Sequence, residues 1–301
     1  MNNSIIITGA TGFVGKNLKQ YLFKNFEINE VSIRYRKNQS FEFKSKSIIH
    51  LAGIAHDLKG NYKYDDYHKS NFELTKQVFD SFLLSNAEKF IFLSSVKAVS
   101  DSVKNELVES TNPEPKTYYG KTKLLAEKYI LSKKLPQNKK VYILRPCMIH
   151  GPHNKGNLNL LFKLCRSGIP WPLGLYENER SYCFIMNFCF VINKLLISKN
   201  IISGVYNISD DKTISTNALI ILIFKILNKK SRIIKVPKII INIFVLFGNL
   251  FKLPFNSESL KKLTESYRVS NKKIKENLSI KKMPVSLEDG LRITLNNFKK
   301  L

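Results

Sequence analysis

The sequence predicts an α/β fold in which a doubly wound parallel sheet is followed by a smaller, mostly helical C-terminal lobe. Short apolar runs alternate with helical patterns through the first half of the chain, and no turn pair typical of a hairpin separates them. From about Asn154 onward, short helical segments dominate. We therefore predict a sheet domain over residues 1–153, to which residues 183–208 return, and a substrate-binding lobe over residues 154–182 and 209–301.

The first apolar run, Ile5–Ile7, is followed by glycines at every third position. Gly9 permits a tight turn, Gly12 lets the backbone approach a phosphate, and Gly15 lets the next helix pack on the strand. The free N–H groups at the start of that helix would face the pyrophosphate of a dinucleotide. This pattern predicts a Rossmann-type domain in which the contacts to the cofactor include Gly9, Thr11, Gly12, Phe13, Val14 and Gly15.

A second strand is predicted over Val31–Arg36, and its end bears on the choice of cofactor. An acidic residue there would bind the ribose hydroxyls of NAD, whereas this stretch carries Arg34 and Arg36. Two guanidinium groups suit a 2′-phosphate, so we expect NADP(H) to be preferred, with NAD(H) as the alternative. The competing interpretation is that both arginines are solvated surface charges.

A third buried strand is predicted at Ile48–Gly53, after a stretch too short for the usual additional strand and helix. It ends in Leu51, Ala52 and Gly53, against which a cofactor can lie closely. His50 lies inside this apolar run and is predicted to be a core residue with satisfied hydrogen bonds. The following helical pattern, over 65–87, places Asn71 one turn before Thr75.

Composition excludes several classes of function. The chain has 301 residues, of which 44% are hydrophobic, so it can build a globular core. Its formal net charge is +26, but only 8 of the 49 basic residues are Arg and the lysines are scattered. We interpret this as a compositional drift towards Lys and expect no nucleic-acid partner. The four cysteines form no CxxC pair, so we expect reduced thiols and no metal site.

The sequence also bears on location. No cationic segment leads into an apolar one at the N-terminus, so we expect a cytoplasmic protein. The apolar stretch Ile239–Phe251 is shorter than the ~20 residues that a membrane-spanning helix needs. We therefore expect no transmembrane span, and peripheral contact with a membrane stays open.

Candidate catalytic groups follow the fourth apolar run, Lys89–Ser95. Tyr119 and Lys123 are four residues apart at a helix start, so both project from one face. A lysine ammonium beside a phenol lowers the phenol pKa from ~10, which lets the tyrosine exchange a proton near neutral pH. Ser95 ends a strand of the same sheet and can bind the same substrate oxygen. Tyr118 is a competing candidate, but no lysine follows it by four residues.

Taken together, these motifs resemble the extended short-chain dehydrogenase/reductases of the NAD-dependent epimerase/dehydratase family. The segments that carry the resemblance are Thr8–Gly15, His50–Gly53, Asn71 with Thr75, Ser94 with Ser95, Tyr119 with Lys123, and 144–152. The resemblance implies that Ser95, Tyr119 and Lys123 are the catalytic residues. It also implies that Asn71, Tyr119 and Lys123 contact the cofactor.

Within that family, the stretches Gly168–Gly174 and Asn178–Ser181 resemble bacterial UDP-4-keto-6-deoxy-N-acetylhexosamine 4-reductases, of the UDP-N-acetylquinovosamine dehydrogenase type. The resemblance implies NADPH-dependent reduction of a C4 keto group in nucleotide-sugar synthesis for O-antigen or capsule. It further implies that Arg180 clamps the UDP diphosphate. The other residues expected to reach the nucleotide sugar are Lys97, Lys155 and Asn157.

Departures from the family pattern and the remaining alternatives bound this interpretation. The paired Asp and Glu of sugar dehydratases are replaced by Val96 and Lys97, so dehydration lacks its acid and base. A UDP-hexose or UDP-N-acetylhexosamine 4-epimerase with bound NAD would use the same three residues and is the main alternative. A non-catalytic NAD(P)-binding module is the alternative of another class. The resemblance also implies a homodimer formed through the helices over 65–87 and 121–133.

Overall fold

The computed structural model describes residues 4–55, 61–154, 156–251, 253 and 255–300. The strands, in chain order, are β1 (Ser4–Thr8), β2 (Glu27–Val31), β3 (Ser47–His50), β4 (Lys89–Leu93), β5 (Glu106–Leu107), β6 (Lys140–Pro146), β7 (Met148–His150), β8 (Arg180–Phe184), β9 (Gly204–Ile208), β10 (Thr213–Ile214) and β11 (Arg268–Val269).

The α-helices are α1 (Phe13–Leu22), α2 (Tyr64–Tyr67), α3 (Leu74–Leu84), α4 (Tyr118–Ser132), α5 (Asn157–Arg166), α6 (Ile185–Ile197), α7 (Thr216–Ile226), α8 (Lys238–Leu250), α9 (Ser257–Thr264), α10 (Lys272–Leu278) and α11 (Leu287–Lys300). A π-helical stretch, His68–Glu73, joins α2 to α3, and a 3₁₀ turn, Val96–Ala98, follows β4. Among the described residues, none of these helices has the length and apolar character needed to cross a bilayer.

The central sheet has six strands in the order β2-β1-β3-β4-β6-β9, and each neighbouring pair is parallel. Successive strand residues enter opposite apolar layers: Ile5 and Ile7 pack on the side of α1 and α6, whereas Ile6 packs on the side of α3 and α4. Burial on both faces explains why the strands are continuous apolar runs. The predicted doubly wound parallel sheet is confirmed.

The second strand differs from its prediction. It covers Glu27–Val31, and residues 32–36 lie outside any strand. β2 pairs with β1 over five residues, ending at Thr8 opposite Val31, and β1 stops there because the chain turns at Gly9. As an edge strand, β2 is largely solvent-exposed, so its sequence lacks the apolar signal of the inner strands. No helix or further strand lies between β2 and β3, as the short intervening stretch predicted.

The second half of the chain forms a separate apolar cluster of helices and a small second sheet. Helices α5, α7 and α11 share an apolar cluster that includes Phe162, Ile223 and Leu295. Beside it lies a three-stranded sheet in the order β10-β8-β7, in which β8 is parallel to β7 and antiparallel to β10. The sequence analysis found none of these three short strands. Strand β9 lies beside β6 at one edge of the central sheet, and the boundaries of the two lobes stay a prediction.

A buried ion pair ties α4 to the central sheet. The Arg145 Nε on β6 donates to both carboxylate oxygens of Glu127 on α4, at 3.0 and 3.1 Å, and Nη2 donates to one of them as well. The two side chains are 5% and 1% exposed. Ser94, which directly follows β4, donates its hydroxyl to the same carboxylate. Three parts of the fold therefore converge on one buried anion.

We predict that Arg145→Leu lowers the free energy of unfolding by about 3–5 kcal/mol, because it leaves the Glu127 carboxylate buried without its partner. The double variant Arg145→Leu/Glu127→Leu should recover most of that loss, since it buries no charge. Urea unfolding of both single variants and the double variant measures the coupling. If the two losses simply add, the pair is not coupled and this account is wrong.

Candidate active site

The candidate site lies at the carboxyl edge of the central sheet, where the strand order reverses. β1 has β2 on one side and β3 on the other, so the chains leaving β1 and β3 diverge and open a crevice. Gly9 has a φ of +71°, and a Cβ placed there would lie 2.7 Å from the Ala52 backbone nitrogen. Only glycine fits this turn, which brings the predicted contacts after β1 and β3 together.

The start of α1 has the properties of an anion-binding helix terminus. Gly12 is the N-cap and offers no side chain to cap the helix, and the first turn holds no acidic residue. The exposed Thr11 and Gly12 precede the half-buried Phe13 and Val14, and Gly15 is buried against the turn. The Gly12 N–H donates to the Gly9 carbonyl at 3.1 Å, but no described hydrogen bond uses the N–H groups of Phe13 and Val14. These two groups can face a pyrophosphate, so the residues present fit a dinucleotide.

A buried polar chain links the two sides of the crevice. The Thr75 hydroxyl donates to the Asn71 carbonyl at 2.7 Å, so it must accept from His50 Nε2 at 3.0 Å. His50 Nδ1 then accepts from the Thr8 hydroxyl at 2.7 Å. Burial lowers the pKa of His50 to about 3 and keeps the ring neutral. The prediction of a satisfied core histidine is confirmed.

Asn71 fixes the loop after β3. Its side-chain oxygen accepts from the Ile54 N–H at 2.8 Å, and its amide donates to the Ile54 carbonyl at 3.0 Å and to the Thr122 hydroxyl at 3.3 Å. Asn71 is fully buried. The side chain therefore holds the segment that contains Gly53 against α4.

The three predicted catalytic residues lie together at this edge. The Ser95 side chain lies close enough to the Tyr119 phenol to lower its pKa. Lys123, one turn further along α4, donates to the Leu93 carbonyl at 2.7 Å. A Cβ at Gly53 would lie 3.6 Å from the Lys123 ammonium, so the lysine borders the crevice. The neighbouring Tyr118 is 52% exposed, which removes it from this arrangement.

The protonation of Tyr119 and Lys123 differs from the sequence-based expectation. Burial raises the pKa of Tyr119 to about 12, and the nearby Ser95 side chain offsets only part of that rise. Burial also lowers the pKa of Lys123 to about 8, although the nearby Glu127 opposes this shift. The expected lowering of the tyrosine pKa is therefore wrong for the protein alone. Desolvation favours the neutral form of both groups.

A cluster of basic residues lies beyond the catalytic residues. Burial lowers the pKa of Lys97, and the nearby cations Arg180 and Lys262 lower it further against the opposing carboxylate of Asp101. Arg180 begins β8 and donates through Nη1 to the Lys262 carbonyl. A bound anion would stabilise the charged form of Lys97 beside Arg180 and Lys262, so this basic cluster suits a diphosphate.

Two residues of this neighbourhood escaped the sequence analysis, namely Lys262 and Tyr267. The Tyr267 hydroxyl donates to the Ser100 carbonyl at 2.7 Å, and the Lys97 ammonium lies 4.9 Å from the centre of its ring. Both residues follow Arg180 by more than 80 positions and belong to no local motif. A spatial pairing of this kind leaves no signal in the pattern of one sequence.

The structure does not bring every predicted residue to the site. Arg34 and Arg36 are exposed on the segment after β2, at the same edge of the sheet as Gly9. Asn157 is the exposed first residue of α5, and no described contact links it to Lys97 or Arg180. Lys155 lies outside the described residues.

Comparison with known proteins places this geometry in context. In an alignment of 326 residues, the chain is 30% identical to a UDP-glucose 4-epimerase of Vibrio cholerae, and the alignment covers 99% of this chain and 96% of that protein. It is 27% identical to an N-acetyl-α-D-glucosaminyl-diphospho-ditrans,octacis-undecaprenol 4-epimerase of Escherichia coli O157:H7, covering 76% of this chain and 74% of that protein.

The fold matches that of a UDP-glucuronic acid 4-epimerase of Bacillus cereus in complex with NAD, with a TM-score of 0.73, 21% identity and 99% of each chain covered. Residues 5–209 match the family described as NAD dependent epimerase/dehydratase. That segment covers more than half of the chain and contains Gly9, Ser95, Tyr119, Lys123 and Arg180. The chain therefore belongs to the NAD dependent epimerase/dehydratase family.

Proposed function

We propose that this protein is a UDP-sugar 4-epimerase that uses bound NAD. The observation that carries the proposal is the convergence of Ser95, Tyr119 and Lys123 on the crevice beside the glycine turn. The two curated relatives described above are both named as 4-epimerases. Their names favour the epimerase alternative over the 4-reductase that the sequence motifs suggested.

The chemistry requires a proton transfer at the sugar O4 and a hydride transfer at C4. In this proposal Tyr119 takes the O4 proton, and the Ser95 side chain lies beside its phenol. A bound oxidised dinucleotide would supply reversible hydride exchange with C4 and a positive charge that favours the Tyr119 phenolate. Tyr119 would give the proton back to O4 once C4 has regained its hydrogen on the opposite face, which inverts C4.

In this proposal, Lys123 contacts the cofactor and also acts on Tyr119. Its ammonium borders Gly53 and the crevice, where it can donate to the hydroxyls of the nicotinamide ribose. It also supplies positive charge beside Tyr119 on the same helix face. We propose that Gly9, Gly12 and the segment 51–53 hold the dinucleotide backbone. Asn71 keeps that segment in position.

The diphosphate of the substrate is assigned to the basic cluster of Lys97, Arg180 and Lys262. A guanidinium offers two parallel donors to phosphate oxygens, which suits the proposed role of Arg180. The relatives' names place the sugar on UDP in one case and on undecaprenyl diphosphate in the other, so a diphosphate is common to both. Asn157 remains a proposed contact to the nucleotide sugar on the strength of its motif alone.

A second candidate function, NADPH-dependent reduction of a UDP-4-keto sugar, rests on Arg34 and Arg36. They are exposed just after β2, where a 2′-phosphate would approach, and no acidic residue occupies 32–36. The same catalytic residues would serve, with Tyr119 donating a proton to O4. The predicted homodimer through α3 and α4, the cytoplasmic location and the role in surface polysaccharide synthesis also stay proposals.

Replacing the proposed acid/base tests the function directly. We expect Tyr119→Phe to lower kcat for interconversion of UDP-glucose or UDP-N-acetylglucosamine with its C4 epimer by about 10²–10⁴-fold, because the O4 proton loses its acceptor. Tyr118→Phe is the matched control, and it should keep near wild-type activity. NMR of the product sugars measures both variants. Full activity in Tyr119→Phe would reject the catalytic assignment.

The pH profile tests the role of Lys123. Its pKa of about 8 means that the ammonium loses its proton as the pH rises through that value. We therefore expect kcat/KM for the UDP-sugar to fall above about pH 8. In Lys123→Arg, which is slower but stays charged, this falling limb should be absent. An identical falling limb in both enzymes would assign it to another group.

Cofactor analysis separates the two candidate functions. We expect protein purified from cells to release NAD on denaturation, and the double variant Arg34→Ala/Arg36→Ala to retain it. If Arg34 and Arg36 bind a 2′-phosphate, the wild type will instead bind NADPH more tightly than NADH, and the double variant will lose that preference. Isothermal titration of the cofactor-free protein with both nucleotides gives the ratio. That second outcome would replace the epimerase with the reductase.

A further inference from the structure

Helix α8 carries a set of large apolar side chains that face solvent. Ile241 and Val245 are buried in the core of the C-terminal lobe, and Gly248 packs so closely that a Cβ would meet the Phe255 carbonyl oxygen. The rest of the helix is uncovered. The side chains that form this α8 surface, each between 43% and 75% exposed, are Ile239, Ile240, Ile243, Phe244, Leu246, Phe247 and Leu250.

An exposed surface made of so many large apolar side chains is unusual on the solvent-facing side of a protein. Single exposed apolar residues are common, but contiguous apolar patches mark interaction sites. The α8 surface continues into Phe251, whose ring stacks on that of Phe247 with centroids 6.4 Å apart. Because only one narrow stripe of the helix is buried, its sequence is far more apolar than the fold itself requires.

The charge around α8 indicates what could cover this surface. Residues 212–257 contain eight basic residues and no Asp or Glu, although the whole chain has 23 acidic residues. The local absence of carboxylates therefore goes beyond the general excess of lysine. The cations that immediately precede and begin α8 are all exposed, namely Lys229, Lys230, Arg232, Lys235 and Lys238.

We infer that the α8 surface docks on the headgroup region of an anionic lipid bilayer. A helix with an exposed apolar face and flanking lysines lies in the plane of a membrane, with its apolar side chains among the acyl chains and its cations at the lipid phosphates. A helix of 13 residues is too short to span the bilayer, which agrees with a surface location. This inference goes beyond the proposed epimerase and does not depend on it.

The position of α8 connects the membrane surface to the candidate active site. Gly248 on α8 contacts the segment just before α9, and the far end of α9 reaches Arg180 through the Lys262 carbonyl. α9 has eight residues, so the two ends are roughly 12 Å apart. Docking through α8 would therefore bring the basic cluster near the bilayer surface.

Vesicle binding tests the inference without reference to catalysis. We expect the full-length protein to float with vesicles of equimolar phosphatidylglycerol and phosphatidylcholine, and to bind pure phosphatidylcholine much more weakly. Phe244→Gln/Phe247→Gln should weaken binding to the anionic vesicles by at least about tenfold, because two large apolar side chains no longer enter the acyl region. Added salt should weaken the binding of the wild type.

A matched control distinguishes a specific surface from general stickiness. Phe23 is 61% exposed and Ile202 is 69% exposed, and both lie far along the chain from α8. Phe23→Gln/Ile202→Gln should bind vesicles like the wild type, and both double variants should melt at the wild-type temperature. No vesicle binding by the wild type, or equal loss in both variants, would overturn the inference. A dimer in solution that only Phe244→Gln/Phe247→Gln dissociates would instead assign the surface to a second copy of the chain.

Discussion

The carboxylate of Glu127 is the constraint around which the candidate site is arranged. It is almost fully buried, and such an anion is tolerated only because Arg145 on β6 and Ser94 after β4 satisfy it. Tyr119, Lys123 and Glu127 follow one another at intervals of four on α4, so one helix face presents all three to the sheet. Fixing Glu127 therefore fixes the orientation of the catalytic face.

The same arrangement explains why α4 has a polar buried face. An ordinary surface helix buries apolar residues at this spacing. Here Lys123 and Glu127 occupy such positions, and the Lys123 ammonium donates to the Leu93 carbonyl at 2.7 Å. Burial lowers the pKa of Lys123, and Glu127 opposes that shift. The fold thus keeps the Tyr119 phenol uncharged and makes the Lys123 ammonium easier to deprotonate than a solvated lysine. Both groups sit where a bound positive charge can shift their protonation.

The proposed binding sites for the dinucleotide and for the substrate diphosphate lie in two separate regions. The crevice between β1 and β3 is built from backbone and small residues, and the chain of hydrogen bonds from Thr8 through His50 to Asn71 holds its two sides. The basic cluster is built from the side chains of Lys97, Arg180 and Lys262, and the two other cations oppose the positive charge of Lys97 that Asp101 favours. The proposed dinucleotide and diphosphate sites therefore depend on different residues.

The sequence by itself determined the parallel sheet, the glycine turn and the shared helix face of Tyr119 and Lys123, because each depends on a local pattern of strand, turn or helix. The family resemblance implied that Ser95 joins them, and the contact itself depends on the tertiary structure. It misplaced β2, since an exposed edge strand needs no apolar run. Only the tertiary structure decided that Lys262 and Tyr267 join Lys97, and that burial raises the pKa of Tyr119 to about 12. The packing of α8 likewise decided which of its apolar side chains remain uncovered. Those outcomes depend on desolvation and on contacts between distant segments, which no local pattern encodes.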